Sequence, residues 1–272
     1  MSLTITDEEF AAFQRFIYAT TGIHMHAGKK ALVCGRLSKR LNHYHLSNYA
    51  DYYQFIHSPE GAVEQQMCVD LLTTNETYFF REPKHFEWLS QYLDAQDSSA
   101  EPFRVWSAAC SSGEEPYSLA MTLTQHCKQP WYVMGSDIST RVLERARTGH
   151  YSLTRAKFIP HAFLKQFCLR GTGSQEGTLL VRKEIREQVE FAQINLNQDL
   201  PNMGSFDVIF LRNVMIYFDT ATKQAVVDRL VQRLRPGGIL CIGHSESLND
   251  LQHPLQLLAP AIFRKPFRSA AL

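Results

Sequence analysis

Apolar residues recur at helical spacing through the first quarter of the chain and at strand spacing from about residue 102 onward. Thr6 and Glu9 form a capping box, and Phe10, Phe13 and Ile17 then fall on one helical face. A second helix, about 28–44, shows Cys34, Leu37 and Leu41 on one side, with Lys29, Arg36 and Arg40 beside them and Lys30 and Lys39 nearby. A third begins at Ser47 and carries Tyr49, Tyr52, Tyr53 and Ile56. Ser58-Pro59-Glu60-Gly61 breaks it, and a fourth runs through Met67 and Leu71. Residues 1–72 therefore predict an all-α N-terminal domain, joined through 73–90 to the rest.

Downstream, strands at Phe103–Ser107, Tyr132–Ser136, Val189–Gln193, Phe206–Leu211 and Ile239–Gly243 alternate with helices. That alternation predicts an α/β domain over 91–272 with a mostly parallel sheet. Residues 163–191 interrupt it. Arg170-Gly-Thr-Gly-Ser-Gln-Glu-Gly177 precedes the alternating run Thr178–Arg182, which predicts a small antiparallel β insert; a surface loop is the other reading.

With 272 residues, 20% charged and 44% hydrophobic, the composition is that of an ordinary soluble globular protein. A net charge of +1 gives no global pull toward nucleic acid or membrane, so electrostatic recognition must be local. The N-terminal residues lack a signal-peptide pattern, and the scattered cysteines (34, 68, 110, 127, 168, 241) predict reduced packing residues of a cytoplasmic protein. No exposed apolar repeat suggests more than a monomer. His24/His26 and His43/His45 stand at i, i+2, which does not place ligands on one helix face, and no metal site is expected.

The richest segment is Arg104–Leu119, where a short strand enters a turn of small residues and Pro116 is expected at the first position of a helix. A strand–turn–helix of this kind holds nucleotide-like cofactors in α/β folds. The turn has a single glycine, Gly113, followed by Glu114 and Glu115, which would repel a pyrophosphate but suit S-adenosylmethionine with its sulfonium and ammonium. Equally, both acids could simply complement the helix dipole. Asp137 ends the next strand 24 residues after Gly113, placed to take ribose hydroxyls or to cap the helix Ser139–Arg147.

The junction Leu72–Pro83 sets Thr74, Asn75 and Thr77 beside Tyr78, Phe79 and Phe80, whose rings could sandwich an adenine or sit near a sulfonium. Arg81 could clamp a carboxylate. Phe206–Asp219 reads as a buried strand ending in Arg212-Asn213 at the crevice, with Tyr217 beyond. Nucleophile triads, HExxH and Walker loops are not evident, and methyl transfer to an ionised carboxylate needs none of them.

Together, Leu72–Pro83, Val105–Ser118, Ser136-Asp137-Ile138, Phe206–Asp219, Leu234–Gly238 and Gly243-His-Ser-Glu-Ser247 closely resemble the chemotaxis receptor methyltransferases of the CheR family. The resemblance implies a Rossmann-like methyltransferase domain that methylates glutamates on chemoreceptor cytoplasmic helices, using S-adenosyl-L-methionine and releasing S-adenosyl-L-homocysteine. It implies cofactor contacts at Asn75, Thr77, Arg81, Glu115, Asp137, Asn195, Leu196, Arg212 and Asn213, and catalytic parts for Arg81 and Tyr217. It further implies docking of the receptor's acidic methylation region on Lys29, Arg36 and Arg40, and capture of a receptor C-terminal pentapeptide by the 163–191 insert. Membrane contact would come only through receptors. The chain departs from the family pattern at Ser139 and at Asn197. A non-catalytic adaptor on the same fold is the alternative, disfavoured by retention of Arg81, Asp137, Arg212 and Tyr217. An NAD-dependent oxidoreductase is disfavoured by the acidic, single-glycine turn.

Overall fold

The computed structural model describes residues 4–267; residues 1–3 and 268–272, the outer ends of the expected 1–72 and 91–272 units, lie outside them. The N-terminal part is helical: α1 Asp7–Thr21, α2 Lys30–His43, α3 Tyr49–Ile56 and α4 Ala62–Leu72. Thr6 and Glu9 exchange both capping-box hydrogen bonds, so α1 starts where the sequence places it. Phe13 is fully buried, with Tyr49, Tyr52 and Tyr53 around its ring at centroid distances of 6.5, 6.2 and 5.5 Å. Asn48 rather than Ser47 caps α3, accepting the Asp51 N–H.

The basic residues Lys29, Arg36 and Arg40 are exposed or half-buried, and two of them have partners within the domain. Arg40 forms a two-pronged ion pair with the buried Glu64 of α4 (Nε–Oε1 2.7 Å, Nη2–Oε2 2.6 Å), and Tyr52 and Tyr44 donate to the same carboxylate. A carboxylate at that depth must be paired, and Arg40 is its partner. Arg36 donates to the carbonyls of Leu71, Leu72 and Thr73, satisfying the open C-terminal end of α4. Lys29 stays exposed.

After the junction come α5 Lys84–Asp94, β1 Phe103–Ser107, α6 Glu114–His126, β2 Trp131–Asp137 and α7 Thr140–Thr148. The small sheet is built from β3 His150–Ser152, β4 Cys168–Arg170 and β5 Thr178–Val181, with α8 His161–Phe167 between its first two strands. Then follow α9 Lys183–Arg186, β6 Val189–Gln193, β7 Phe206–Leu211, α10 Thr220–Arg233, β8 Leu234–Ile242, β9 Gln256–Ala259 and β10 Ile262–Arg264. The main sheet has the order β6-β2-β1-β7-β8-β10-β9, parallel from β6 through β8 and antiparallel at β10 and β9. From β1 the chain first builds outward through β2 to β6, then returns to the other side of β1 as β7. The crevice beyond the carboxyl ends of β1 and β7 is therefore the switch point where α/β sheets bind ligands.

The insert differs in extent from the sequence reading. Its sheet has the order β3-β5-β4, antiparallel throughout, so one strand comes from upstream of residue 163. Val189–Gln193 pairs with β2 in the main sheet, as its reading as a strand of the parallel sheet expects, so the insert ends before it. Pro116 stands at the third position of α6, not the first, because Gly113 is the N-cap. Proline is still tolerated there, since the first four helical N–H groups have no intrahelical partner. Gly113 itself has φ +92°, and a Cβ would lie 2.7 Å from Ala146 Cβ and 2.9 Å from the Tyr151 hydroxyl.

Asp70 of α4 locks the two parts together. Its carboxylate accepts the Thr140 N–H (3.0 Å), the Thr140 hydroxyl (2.8 Å) and the Arg141 N–H (3.2 Å), capping α7 from the other domain. Asp137, expected as a possible cap there, bonds the N–H groups of Ser139 and Ser111 instead. No helix among the described residues is long and apolar enough to cross a membrane.

Two measurements test these supports. Asp70→Ala should cost about 2 kcal/mol in urea unfolding, the upper range for a lost helix cap; a change below about 0.5 kcal/mol would remove the clamp. His85 in α5 is fully buried, and burial first, then the charge of Arg212, pushes its imidazole from 6.5 down to about 3. The unfolded chain therefore takes up a proton below pH 6.5 that the folded protein refuses until about pH 3, and stability falls across that window. His85→Phe should flatten the slope of unfolding free energy against pH between 6.5 and 5. An unchanged slope would remove His85 as its source.

Candidate active site

The switch-point crevice is a cleft of about 950 Å³. The cofactor contacts and catalytic residues that the family resemblance implies all border it: Asn75, Thr77 and Arg81 from the junction, Glu115 from α6, and Asp137 at the end of β2. Asn195, Leu196, Arg212, Asn213 and Tyr217 complete the set from the loops after β6 and β7. These positions are far apart in the chain. Asp137, Asn195, Leu196, Arg212, Asn213 and Tyr217 arrive there from the carboxyl ends of β2, β6 and β7, Glu115 from the start of α6, and the junction between α4 and α5 brings Asn75, Thr77 and Arg81 to the same place.

Asp137 is 7% exposed, with one oxygen on the Ser139 N–H (3.0 Å) and the other on the Ser111 N–H (2.8 Å). Burial pushes this carboxyl above its ordinary value, although those two bonds oppose the shift. Each oxygen retains a lone pair for a further donor. Glu115 accepts from the Ser107 hydroxyl (2.7 Å) and from Arg212 Nη1 (2.6 Å), and it faces the cleft. Glu114 turns away. It is fully buried, held by the Ser112 hydroxyl and by Arg155 of the segment after β3. Successive helical residues point about 100° apart, which splits the two acids between different tasks.

Arg212 is 5% exposed and joins three elements. Nη1 reaches Glu115, while Nη2 donates to the Arg81 carbonyl and, at 3.1 Å, to Glu82. Burial works against its charge, but Glu115 and Glu82 outweigh burial and hold the guanidinium above its ordinary value. Glu82 also accepts from Asn213 Nδ2 (3.0 Å) and the His244 N–H (3.1 Å). Burial would raise Glu82, yet the Asn213 bond and the Arg212 charge bring it down to about 2. Glu246 then gathers the N–H groups of Asn213, Met215 and Gly243 at 2.7–2.9 Å, fixing the loop after β7.

The junction aromatics do not line the cleft, contrary to the expectation from sequence. Phe79 and Phe80 are buried in the core, Phe80 against Phe86 and Phe163, while Tyr78 packs on Phe158. They anchor the junction, and the polar residues on either side of them, Thr74, Asn75, Thr77 and Arg81, border the cleft. Arg81 donates Nη1 to the Glu76 carbonyl (2.9 Å) and lies 5.8 Å from the Tyr78 ring centre.

Sequence reasoning missed the contribution of the N-terminal domain to the cleft. Thr21 and Ile23 form part of its wall. Ile23 bridges to Phe218, the His24 N–H bonds the Tyr217 carbonyl (2.8 Å), and Asn195 Nδ2 bonds the Thr20 carbonyl (2.6 Å). Gly22 at φ +75° makes this approach possible, since a Cβ would sit 2.6 Å from Thr222. Glu82 and Glu246 were also missed, although for Glu82 its place directly after the candidate Arg81 was a usable signal.

The cleft suits a cationic ligand with hydroxyl groups: two carboxylates, Asp137 and Glu115, face it beside the amides of Asn75 and Asn195. Glu82, His85 and His244 bring possible metal-ligating atoms within 4.8 Å of one another. Both Glu82 oxygens are already engaged there, and the adjacent Arg212 charge opposes a second cation.

Comparison with known proteins agrees with this architecture. Residues 75–262 match the CheR methyltransferase, SAM binding domain, and residues 8–73 match the CheR methyltransferase, all-alpha domain. The chain is 42% identical to chemotaxis protein methyltransferase 2 of Pseudomonas aeruginosa over 95% of its own length and 93% of that protein's. It is 40% identical to the chemotaxis protein methyltransferase of Escherichia coli, over 96% and 92%. The corresponding protein of Salmonella typhimurium is 38% identical over 96% and 91%. With both family domains matched in order along nearly the whole chain, this protein belongs to the CheR methyltransferase family.

Proposed function

We propose that the protein transfers the methyl group of S-adenosyl-L-methionine to glutamate side chains of a chemoreceptor's cytoplasmic region, giving glutamyl methyl esters and S-adenosyl-L-homocysteine. It does so as a cytoplasmic monomer. The observation that carries the reading is the convergence of Asp137, Glu115, Arg81 and Tyr217 on one cleft in a fold of this family. The relatives' shared description as chemotaxis methyltransferases supports the choice of acceptor.

In this reading Asp137 takes the ribose hydroxyls, and Glu115, held by Arg212, faces the positive end of the cofactor. Asn75, Thr77, Asn195, Leu196 and Asn213 shape the remaining walls. Bound S-adenosylmethionine supplies an electrophilic methyl group. A glutamate is already ionised at neutral pH, so no general base is required and the protein's task is alignment. Arg81 commits one nitrogen to the Glu76 carbonyl, and the rest of its fork orients the incoming carboxylate. Tyr217 borders the same space, and in this reading its hydroxyl helps to position that carboxylate.

The receptor's acidic methylation region meets α2 at the exposed Lys29 and the outer part of Arg36, with Arg40 bracing α2 on Glu64. The groove of His150, Leu169, Arg170 and Leu180 on the small sheet takes a C-terminal pentapeptide, added as a strand at the β4 edge.

Labelled methyl should pass from S-adenosylmethionine to receptor-containing membranes and be released as methanol by alkali; base-stable label would overturn the ester. Asp137→Ala should weaken cofactor binding in calorimetry at least about tenfold, as expected for loss of a charged hydrogen-bonding group. Arg81→Ala should lower kcat about 100-fold through misalignment, with Arg81→Lys recovering only part. An unchanged kcat would remove Arg81 from catalysis.

A further inference from the structure

Beside the cofactor cleft lies a second groove, of about 700 Å³, lined by Arg36, Arg141, Arg145 and Arg155. The two share the segment Thr73–Glu76 as a common wall. We propose that this arginine groove, centred on Arg141 and Arg145 of α7, docks the acidic helical segment of the acceptor that flanks the carboxylate to be methylated. The proposal rests on the acceptor reading above and extends the contact surface from Arg36 of α2 onto α7 and the segment after β3.

Arg141 and Arg145 stand at i, i+4 and so point the same way from α7. Both are exposed. The Arg145 side chain has no hydrogen-bond or ion-pair partner among the described residues, and that of Arg141 bonds only the Asp70 carbonyl (3.3 Å). Arg36 likewise spends its donors on main-chain carbonyls. Only Arg155 has a carboxylate, that of Glu114. Thus guanidinium groups from α2, from α7 and from the segment after β3 are held close with little countercharge. Burial, and after it the charge of Arg141, lowers the Arg36 value, in keeping with like charges forced together.

A row of acidic side chains would relieve that repulsion. A nucleotide fits less well, because no aromatic side chain borders the groove to stack a base. The shared wall supplies the functional reason: an acidic helix seated here would end beside the cleft where its own glutamate must enter. Exposed charges of this kind act mainly on encounter and on salt dependence.

The test uses the full chain and a soluble receptor cytoplasmic fragment. Arg141→Glu combined with Arg145→Glu should raise KM for the fragment at least tenfold and flatten its dependence on salt. The kcat at saturating fragment and the Kd for S-adenosylmethionine should stay within twofold, which also reports correct folding. Arg141→Lys with Arg145→Lys should restore most of the KM. Wild-type transfer to the fragment with KM unchanged in the charge-reversed variant overturns the groove alone. Wild-type protein that transfers no methyl to the fragment overturns the acceptor reading, and the groove's occupant with it. An anionic dinucleotide that binds wild type but not the variant, with receptor KM unaffected, also overturns the proposal.

Discussion

The arrangement of the cleft depends on one buried cation. Arg212 ends β7 at the switch point, and its guanidinium bonds α6 through Glu115 and the junction through Glu82 and the Arg81 carbonyl. A charge at 5% exposure is tolerable only because both carboxylates accompany it. The same pairing settles the conformation of the junction. Glu82 sits at φ +56°, an uncommon place for a non-glycine residue, and its bonds to Arg212, Asn213 and the His244 N–H compensate that strain. Arg81 is adjacent, so the group that would meet the acceptor is aimed by a residue that faces the opposite way.

That dependence explains why neighbouring residues in the motifs have unlike tasks. In Glu114-Glu115 one acid is sealed beneath the insert by Arg155 and the other faces the cleft. In Tyr78–Arg81 the aromatics serve as anchors while the arginine projects. Packing uses what lies behind the backbone and chemistry uses what lies in front. A motif at such a junction therefore records both demands, and its residue types alone do not say which residue answers which.

How much was legible in the sequence follows from the same distinction. Periodicity located α1 and its capping box, the tyrosine face of α3 and the parallel strands, because each of those signals is local. The residues bordering the cleft were legible through motif order. Side-chain partners distant in the chain were not. Arg40 read as part of a basic docking stripe with no sign of the buried Glu64 that pairs with it, and the sequence left Asp137 open to ribose or capping with no sign that Asp70 takes the cap from another domain. Strand β3 is three residues long and was hidden upstream of the glycine-rich turn that signalled the insert, while β9 and β10 lack a parallel partner's apolar run.

The cleft is thus a product of two domains rather than a property of the Rossmann-like one. Thr21 and Ile23 close one wall, and Tyr18 bonds Asp219, the residue that also caps α10 just beyond Tyr217. Asn195 and Asn197 reach back to the carbonyls of Thr20 and Ala19. The departure at Asn197 from the family pattern therefore has a structural consequence: it adds a polar tie across the domain junction. Asp70 makes the complementary tie from α4 to α7. Any relative movement of the two parts must break these bonds, and it must reshape the pocket that holds Leu196, Tyr217 and Phe218. A ligand that contacts both walls would therefore favour the domain alignment seen here by its differential affinity for it.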